Sequence, residues 1–379
     1  MLSTWKLDHS SAHSRLLLRL ALSLLAIALL GLTAAAQDYD VTILTSDIPD
    51  VGNVNDTNLV NPWGLAASPT SPWWVSDNGT GLSTLYDAAG NPQQLVVMVP
   101  QWDNTPGGNP TGVVFNGTGD FQINGSATHF LFATEDGTIQ GWTGGASTII
   151  AVNNFPGSVY KGLTLGSAGG VNYIYAANFR NGTVDVFDTN FSPHSFGNGA
   201  FQDNHIPGGF APFDVANIGG NIVVTFAKQD AEKHDDVAGP GNGFVDVFDS
   251  QGNLIRRLQH NAFLNSPWAV VKAPSDFGVF SNKLLIGQFG SGAILAYDDH
   301  GHFAGLLTDA AVLPARINAL WGLGFGNDHT AGPHNVLYFA AGTFAEAHGT
   351  FGTISVAQCQ APFCRNSQPQ THRLSRHKE

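Results

Sequence analysis

The sequence predicts an all-β protein, a six-bladed β-propeller, on three observations. A motif pair recurs six times, the recurring runs have strand composition, and the chain is rich in turn residues and poor in charge. Of its 379 residues 43% are hydrophobic and 12% charged, with 45 Gly, 19 Pro, 25 Phe and 8 Trp. Charge at about half the usual globular share, with ordinary apolar content, excludes charge-driven disorder, and aperiodic Gly and Pro exclude collagen. Length alone would suggest two or three domains, a prior that the repeat overrides.

The first 36 residues read as an export signal. Lys6, Arg15 and Arg19 lead an uncharged apolar run from Leu20 to Leu32, and Ala34, Ala35 and Ala36 then precede Gln37, which predicts cleavage after Ala36. The run is short of the roughly 20 residues that a spanning helix needs, so the mature chain is expected to be soluble outside the cytoplasm, with no membrane span.

Six blades follow over residues 37–357. The first half of the motif is W-G-L at Trp63, T-G-V at Thr111, K-G-L at Lys161, F-D-V at Phe213, W-A-V at Trp268 and W-G-L at Trp321. Its middle positions are 64, 112, 162, 214, 269 and 322, a spacing of 48 to 55 residues. The second half runs from G-L-S-T-L-Y-D ending at Asp87, through N-G-T-V-D-V-F-D ending at Asp188, to F-G-T-I-S-V ending at Val356. Between the halves lie apolar runs such as WWVSD, HFLFATE and YIYAANF, of strand length and bounded by Gly, Asn and Asp. Asp136-Gly137, Asn181-Gly182 and Asn242-Gly243 supply the positive φ that tight strand turns need. A fourth strand is predicted at Gln94 to Val99, Thr148 to Val152, Leu254 to Leu258 and Phe303 to Leu307, and more weakly at the Gly-rich Phe196 to Phe201. The sixth repeat stops after three strands near Ala357. The spare strand Tyr39 to Thr45 is therefore predicted to complete it and close the ring, which removes an exposed edge.

Residues 358–379 form a polar, basic tail. Its Cys359 and Cys364 are five apart and predict a small disulfide loop after export, with two free thiols as the alternative. Between Gln37 and Cys364 the chain carries 9 basic against 27 acidic residues, within a whole-chain net charge of −13. That balance excludes a nucleic-acid partner and favours cations over anions on the surface at large.

The segment from Asn61 to Gly90, N-P-W-G-L-A…W-W-V-S-D-N-G-T-G-L-S-T-L-Y-D-A-A-G, resembles the NHL-type propeller repeat. The stretch from about Ile43 to Val356 resembles a family of exported bacterial β-propeller proteins, some of which carry PEP-CTERM sorting tails. Residues 228–249 and 346–354 carry this second resemblance. It implies the fold and export, and no reaction. The tail here has no Pro-Glu-Pro motif and no apolar anchor.

In a four-stranded blade the loops between strands two and three open on the face where strand one begins, so polar loop residues converge on one channel mouth. They are Asp77 and Asn78 in blade one, Glu135 and Asp136 in blade two, and Asn178 and Arg180 in blade three. Blade four adds Lys228, Asp230, His234, Asp235 and Asp236, blade five Gln288, and blade six Glu346 and His348. Trp63, Lys161, Trp268 and Trp321 start first strands on this face. Each Asp or Asn is equally a turn former, and each Trp a wedge between blades. The insertion from Gln229 to Asn242 is the best candidate for a functional loop. Carboxylates from several blades suit a hard cation, so Asp235, Asp236 and Glu346 are metal candidates and Ca²⁺ the candidate ion. No G-x-S-x-G, H-E-x-x-H, phosphate loop or Cys-based metal cluster is present. Six-bladed lactonases begin blade one with a metal-binding Glu before Gly-Pro, whereas here Asn61 precedes Pro62. Two functions remain open. One is an extracytoplasmic binding or scaffold module for a small molecule, glycan or protein. The other is a cation-dependent hydrolase or lyase with His234 or His348 as the acid/base.

Overall fold

The computed structural model describes residues 38–309 and 315–357. Six of its sheets are blades, five of four antiparallel strands in sequence order and a sixth that the N-terminal side of the chain completes, and Gln122–Ile123 with Ser126–Ala127 make a separate two-stranded sheet. Blade one is Pro62–Ala66, Trp73–Asp77, Leu82–Tyr86 and Val97–Met98; blade two is Pro110–Phe115, Phe130–Thr134, Thr138–Trp142 and Ile149–Asn153. Blade three is Tyr160–Ala168, Val171–Asn178, Thr183–Phe187 and Pro193–His194; blade four is Phe210–Ile218, Asn221–Lys228, Gly243–Phe248 and Leu254–Arg257. Blade five is Pro267–Lys272, Leu284–Gln288, Ile294–Tyr297 and Phe303–Leu306. Blade six takes Leu320–Phe325, Leu337–Ala341 and Thr350–Val356 from the C-terminal end, and Tyr39–Ser46 from the N-terminal side.

The closing strand pairs antiparallel with Thr350–Val356, from Tyr39 opposite Val356 to Ser46 opposite Thr350, with a bulge between Ile43 and Thr45. Val54–Asn55 then adds in parallel outside it. The predicted closure is thus present, and the ring ends pair with each other rather than offering an open edge.

Second strands such as Trp73–Asp77, Phe130–Thr134 and Leu337–Ala341 are buried along their whole length. Each blade is covered on both faces by its neighbours, so its inner strands read as continuous apolar runs rather than alternating ones. The core is accordingly a set of wedges between blades. Trp74 of blade one stacks on Phe130 of blade two at 4.2 Å, and Tyr86 of blade one on Phe351 of blade six at 5.3 Å. Such aromatic pairs contribute about 0.5–1.5 kcal/mol each beyond the area they bury.

Three sequence expectations need correction. The fourth strand of blade three is Pro193–His194, not Phe196 to Phe201, because Gly197, Gly199 and Phe201 have positive φ and make that stretch a turn. The blade-four turn takes its positive φ at Gly241, while Gly243 opens the next strand. The fourth strand of blade one shrinks to Val97–Met98. The export signal and both cysteines lie outside the described residues. No helix among the described residues is long and apolar enough to cross a membrane.

Candidate ligand site at the channel mouth

The residues that start the first strands form a layer across the channel. Trp63 stacks on Trp321 with ring centroids 3.5 Å apart, Trp268 meets both edge-on, and Phe213 lies 5.7 Å from Trp321. Thr111 and Lys161 complete the ring, and all six residues are buried. The three Trp residues proposed as ligand contacts therefore form a plug with their rings closed off from solvent. Trp321 Nε1 donates to Asn61 Oδ1 at 3.3 Å and Trp268 Nε1 to the Lys161 carbonyl at 3.1 Å.

Above this plug a polar chain crosses five blades. Asn61 Nδ2 donates to Glu346 Oε2 at 3.1 Å and to Asn78 Oδ1 at 3.3 Å; Asn78 Nδ2 donates to Glu135 Oε2 at 2.9 Å. Lys161 Nζ, 5.0 Å above the Trp63 ring, donates to Glu135 Oε1 at 2.5 Å and to Asp235 Oδ1 at 3.0 Å. Asp235 also holds His234 Nδ1 at 3.1 Å. Burial alone would lower the Lys161 pKa, but the two carboxylates more than offset it, and the ammonium is held above its ordinary value. The hydrogen bond that His234 Nδ1–H donates to Asp235 raises His234, and His234 and Lys161 together hold Asp235 below the usual carboxylate range. Burial, then the charge of Glu135, lifts Glu346 to about 7.

Local backbone aims two of these groups. The inserted loop of blade four folds back on itself through Asp230 N–H to Asp235 O and Val237 N–H to Lys228 O, while Asp230 Oδ1 accepts from His234 N–H. That closure carries His234 and Asp235 over the mouth. Glu346 ends a left-handed turn in which Phe344, Ala345 and Glu346 have φ of 53°, 53° and 66°. Such residues cost roughly 1–2 kcal/mol each, which the surroundings must over-determine.

Beside the chain opens a pocket of about 290 Å³ lined by Asn109, Glu135, Asp136, Phe155, Pro156, Ser158, Val159, Arg180 and His234. Asp136 accepts from the Thr134 hydroxyl and, at 2.7 Å, from Trp102 N–H. Below the plug a second cavity of about 380 Å³ is lined by the later residues of the first strands and by Asp214.

Of the residues singled out in the sequence, Asn78, Glu135, His234, Asp235 and Glu346 meet in the chain, and Asp136 and Arg180 line the pocket. Others are spoken for within their own blades. Asp77 is buried and accepts from Thr84 N–H and Oγ1, Asn178 bonds Ser158 and Asp185, and Gln288 accepts from Asn265 N–H. Lys228 is exposed at its strand end. His348 Nδ1 is 2.7 Å from Asp47 Oδ2, so it ties blade six to the segment after the closing strand.

The suggested metal set of Asp235, Asp236 and Glu346 is not assembled by these contacts. Asp236 bonds the Ser266 hydroxyl and Glu346 bonds Asn61. Among the described residues, the group whose ligand atoms do converge is Glu135, His234 and Asp235, within 4.8 Å of one another. Lys161 Nζ already sits against two of those three, so the protonated lysine fills the role of a cation there and these residues do not fit Ca²⁺ as they stand. Asn61 and Asp214 were missed as site residues, and Lys161 was placed on this face but given no role. The available signal was their departure from the repeat, since Lys161 stands where other blades have Trp, Thr or Phe, and Asp214 where they have Gly or Ala.

No family model matches the chain. Among solved structures it is similar to a streptogramin B lyase, with TM-score 0.51 and 14% identity over 86% of this chain and 100% of that one. It is also similar to the soluble aldose sugar dehydrogenase of Escherichia coli, with TM-score 0.50 and 12% identity over 84% and 100%. Both likenesses speak to the propeller fold alone. Two proteins of Acanthamoeba polyphaga mimivirus align along nearly their full length. Uncharacterized protein R648 is 28% identical over 340 residues, 86% of this chain and 82% of that one. Uncharacterized protein L690 is 30% identical over 343 residues, 86% of this chain and 87% of its own. On that extent and identity, the chain belongs to the family of the mimivirus protein L690.

Proposed function

We propose that this protein is an exported β-propeller that binds a small ligand at the channel mouth. The observation that carries the reading is an open pocket of about 290 Å³ built against a polar chain that draws side chains from five blades. A site assembled from so many distant positions on a rigid ring is preorganised, which lowers the cost of ordering on binding. Export rests on the basic lead and apolar run before Ala36 and on the resemblance to exported bacterial propellers. N-terminal sequencing of secreted protein is expected to start at Gln37; a start at Met1 removes that part of the reading. The acidic balance speaks against nucleic acid as the partner.

The test of binding is a thermal-shift screen with saccharides, organic acids and amines on the mature protein. A ligand of the mouth raises the melting temperature by mass action, and His234→Ala removes the increment. A screen in which every increment survives both His234→Ala and Glu346→Gln overturns the reading and leaves a protein-binding scaffold in front.

A second reading, a hydrolase or lyase, is favoured by one observation: Glu346, lifted to about 7 by burial, belongs to the same polar chain as His234, whose hydrogen bond to Asp235 holds it above its ordinary value. Its calcium-dependent form requires Lys161 to yield its place. Melting curves with Ca²⁺ and with EDTA are expected to superimpose, and a Ca²⁺ increment abolished by Asp235→Asn would instead establish a cation at this site.

A further inference from the structure

Arg180 has a feature that the rest of the mouth does not explain. Its Nε is buried and has no hydrogen-bond partner, and among the described residues it forms no ion pair. Three other cations have found carboxylates: Lys161 has two, Arg257 has Asp203, and Lys272 has Asp299. Two carboxylates line the same pocket as Arg180, yet both are engaged. Glu135 gives one oxygen to Lys161 and the other to Asn78, and Asp136 accepts from Thr134 and from Trp102 N–H. His234, on the same wall, has Nδ1 committed to Asp235, which leaves Nε2 as the ring nitrogen available to a ligand. A guanidinium that is partly buried without a counter-charge is costly, and a planar anion relieves that cost through two parallel N–H donors.

The pocket also has an apolar plane. Phe155, 43% exposed, stacks on Trp102 at 4.2 Å with the rings parallel, next to Asp136. An exposed aromatic face beside polar groups suits a ligand with one apolar side and hydroxyls around it. A volume of about 290 Å³ lies at the small end of ligand sites and suits one ring rather than a chain of them.

We propose that the mouth selects an anionic ligand of monosaccharide size, its acid group on Arg180 and its ring against Phe155. This rests on the reading of the mouth as a small-ligand site and names what that site takes. A carboxylate and a phosphate share the recognising chemistry, so the probes separate them.

The experiment is isothermal titration of the mature protein at pH 7 with glucuronate, glucose 6-phosphate, inorganic phosphate and glucose. Glucuronate or glucose 6-phosphate is expected to bind at least about tenfold more tightly than glucose, and the better of the two identifies the acid group. Arg180→Gln is expected to abolish that preference while leaving any glucose binding unchanged, and Arg180→Lys to retain part of it. Phe155→Ala should weaken the sugar acids and leave inorganic phosphate alone. If the sugar acids and glucose bind equally, or if Arg180→Gln and Arg180→Lys both keep the preference, the anion assignment falls while the ligand site stands. If all four probes fail but a neutral or cationic compound from the screen binds in a His234-dependent way, this inference also falls alone. If nothing binds in a His234-dependent way, the site reading falls with it.

Discussion

Lys161 and Asp214 lie in neighbouring layers of the same channel, and each breaks the six-fold repeat with an ionisable side chain. Lys161 belongs to the plug, where its counterparts are Trp63, Thr111, Phe213, Trp268 and Trp321. Asp214 belongs to the layer below, where its counterparts are Gly64, Gly112, Gly162, Ala269 and Gly322. The molecule treats them in opposite ways. Lys161 meets Glu135 from blade two and Asp235 from blade four, and stays charged despite full burial. For Asp214 burial is the leading influence, opposed by the Val215 backbone N–H, and its pKa is held well above the ordinary value. The difference lies in what can reach each layer. Loops fold over the mouth and bring carboxylates with them, whereas the inner layer is walled by first strands packed glycine against backbone. A Cβ on Gly112 would stand 2.7 Å from Leu163 N, and one on Gly162 would stand 1.9 Å from Asp214 Oδ1. The Asp214 carboxyl thus occupies the room that Gly162 leaves.

The largest effect expected from breaking this contrast is at Lys161. Lys161→Met leaves Glu135 and Asp235 without their cation and should cost about 3–5 kcal/mol in chemical denaturation. Adding Glu135→Gln should return part of that loss, and a single-variant loss under about 1 kcal/mol would show that the mouth tolerates the bare carboxylates.

Next comes Glu346, whose native value of about 7 stands above its ordinary 4.5. A carboxyl raised on folding contributes stability that is complete below about pH 4.5 and is lost as pH rises through 7. This one group should therefore remove roughly 3 kcal/mol across that window, and Glu346→Gln should flatten the decline in denaturation curves taken from pH 4.5 to 7.5. An unchanged slope would place the titration elsewhere.

Gly162→Ala probes the inner layer and should cost about 1–3 kcal/mol through overpacking. In an Asp214→Gly background the cost should shrink, because the colliding oxygen is gone; additive losses would refute the packing account. The smallest effect belongs to Asp214→Asn measured at pH 5. A neutral carboxyl and an amide are close in shape, and the change should stay under about 1.5 kcal/mol. As pH rises through the folded pKa of Asp214, the wild type should lose stability that the Asn variant keeps. A large loss at pH 5 would mean that Asp214 is ionised in the folded protein, and the contrast with Lys161 would vanish.

Blade number, most strand positions and ring closure were readable along the chain. Each blade announces itself by local apolar runs and Gly turns such as Asn181-Gly182, and the three-strand last repeat leaves Tyr39–Ser46 a single place to pair. Hydrophobic periodicity and turn chemistry act over a few residues, which is why they survive in a linear reading. Where local signals competed, the reading slipped: Phe196 to Phe201 had the aromatics of a strand and the glycines of a turn, and the turn prevailed.

The site is different in kind. That loop carboxylates gather at one mouth follows from blade topology, and Glu135, His234, Asp235 and Glu346 were found that way. Which of them touch was decided only in three dimensions. Asn61 bonds Glu346 across 285 positions, Lys161 bonds Glu135 across 26 and Asp235 across 74, and His348 turns to Asp47 across 301. Trp63, Trp268 and Trp321 mark the same position in three repeats, yet only the packed ring makes them a plug instead of a ligand wall. The repeat specifies each blade from within, because its hydrogen bonds and apolar faces are local. Charge state and pairing at the axis depend on the sum of six blades, since burial and the field of distant carboxylates exist only once the ring has closed.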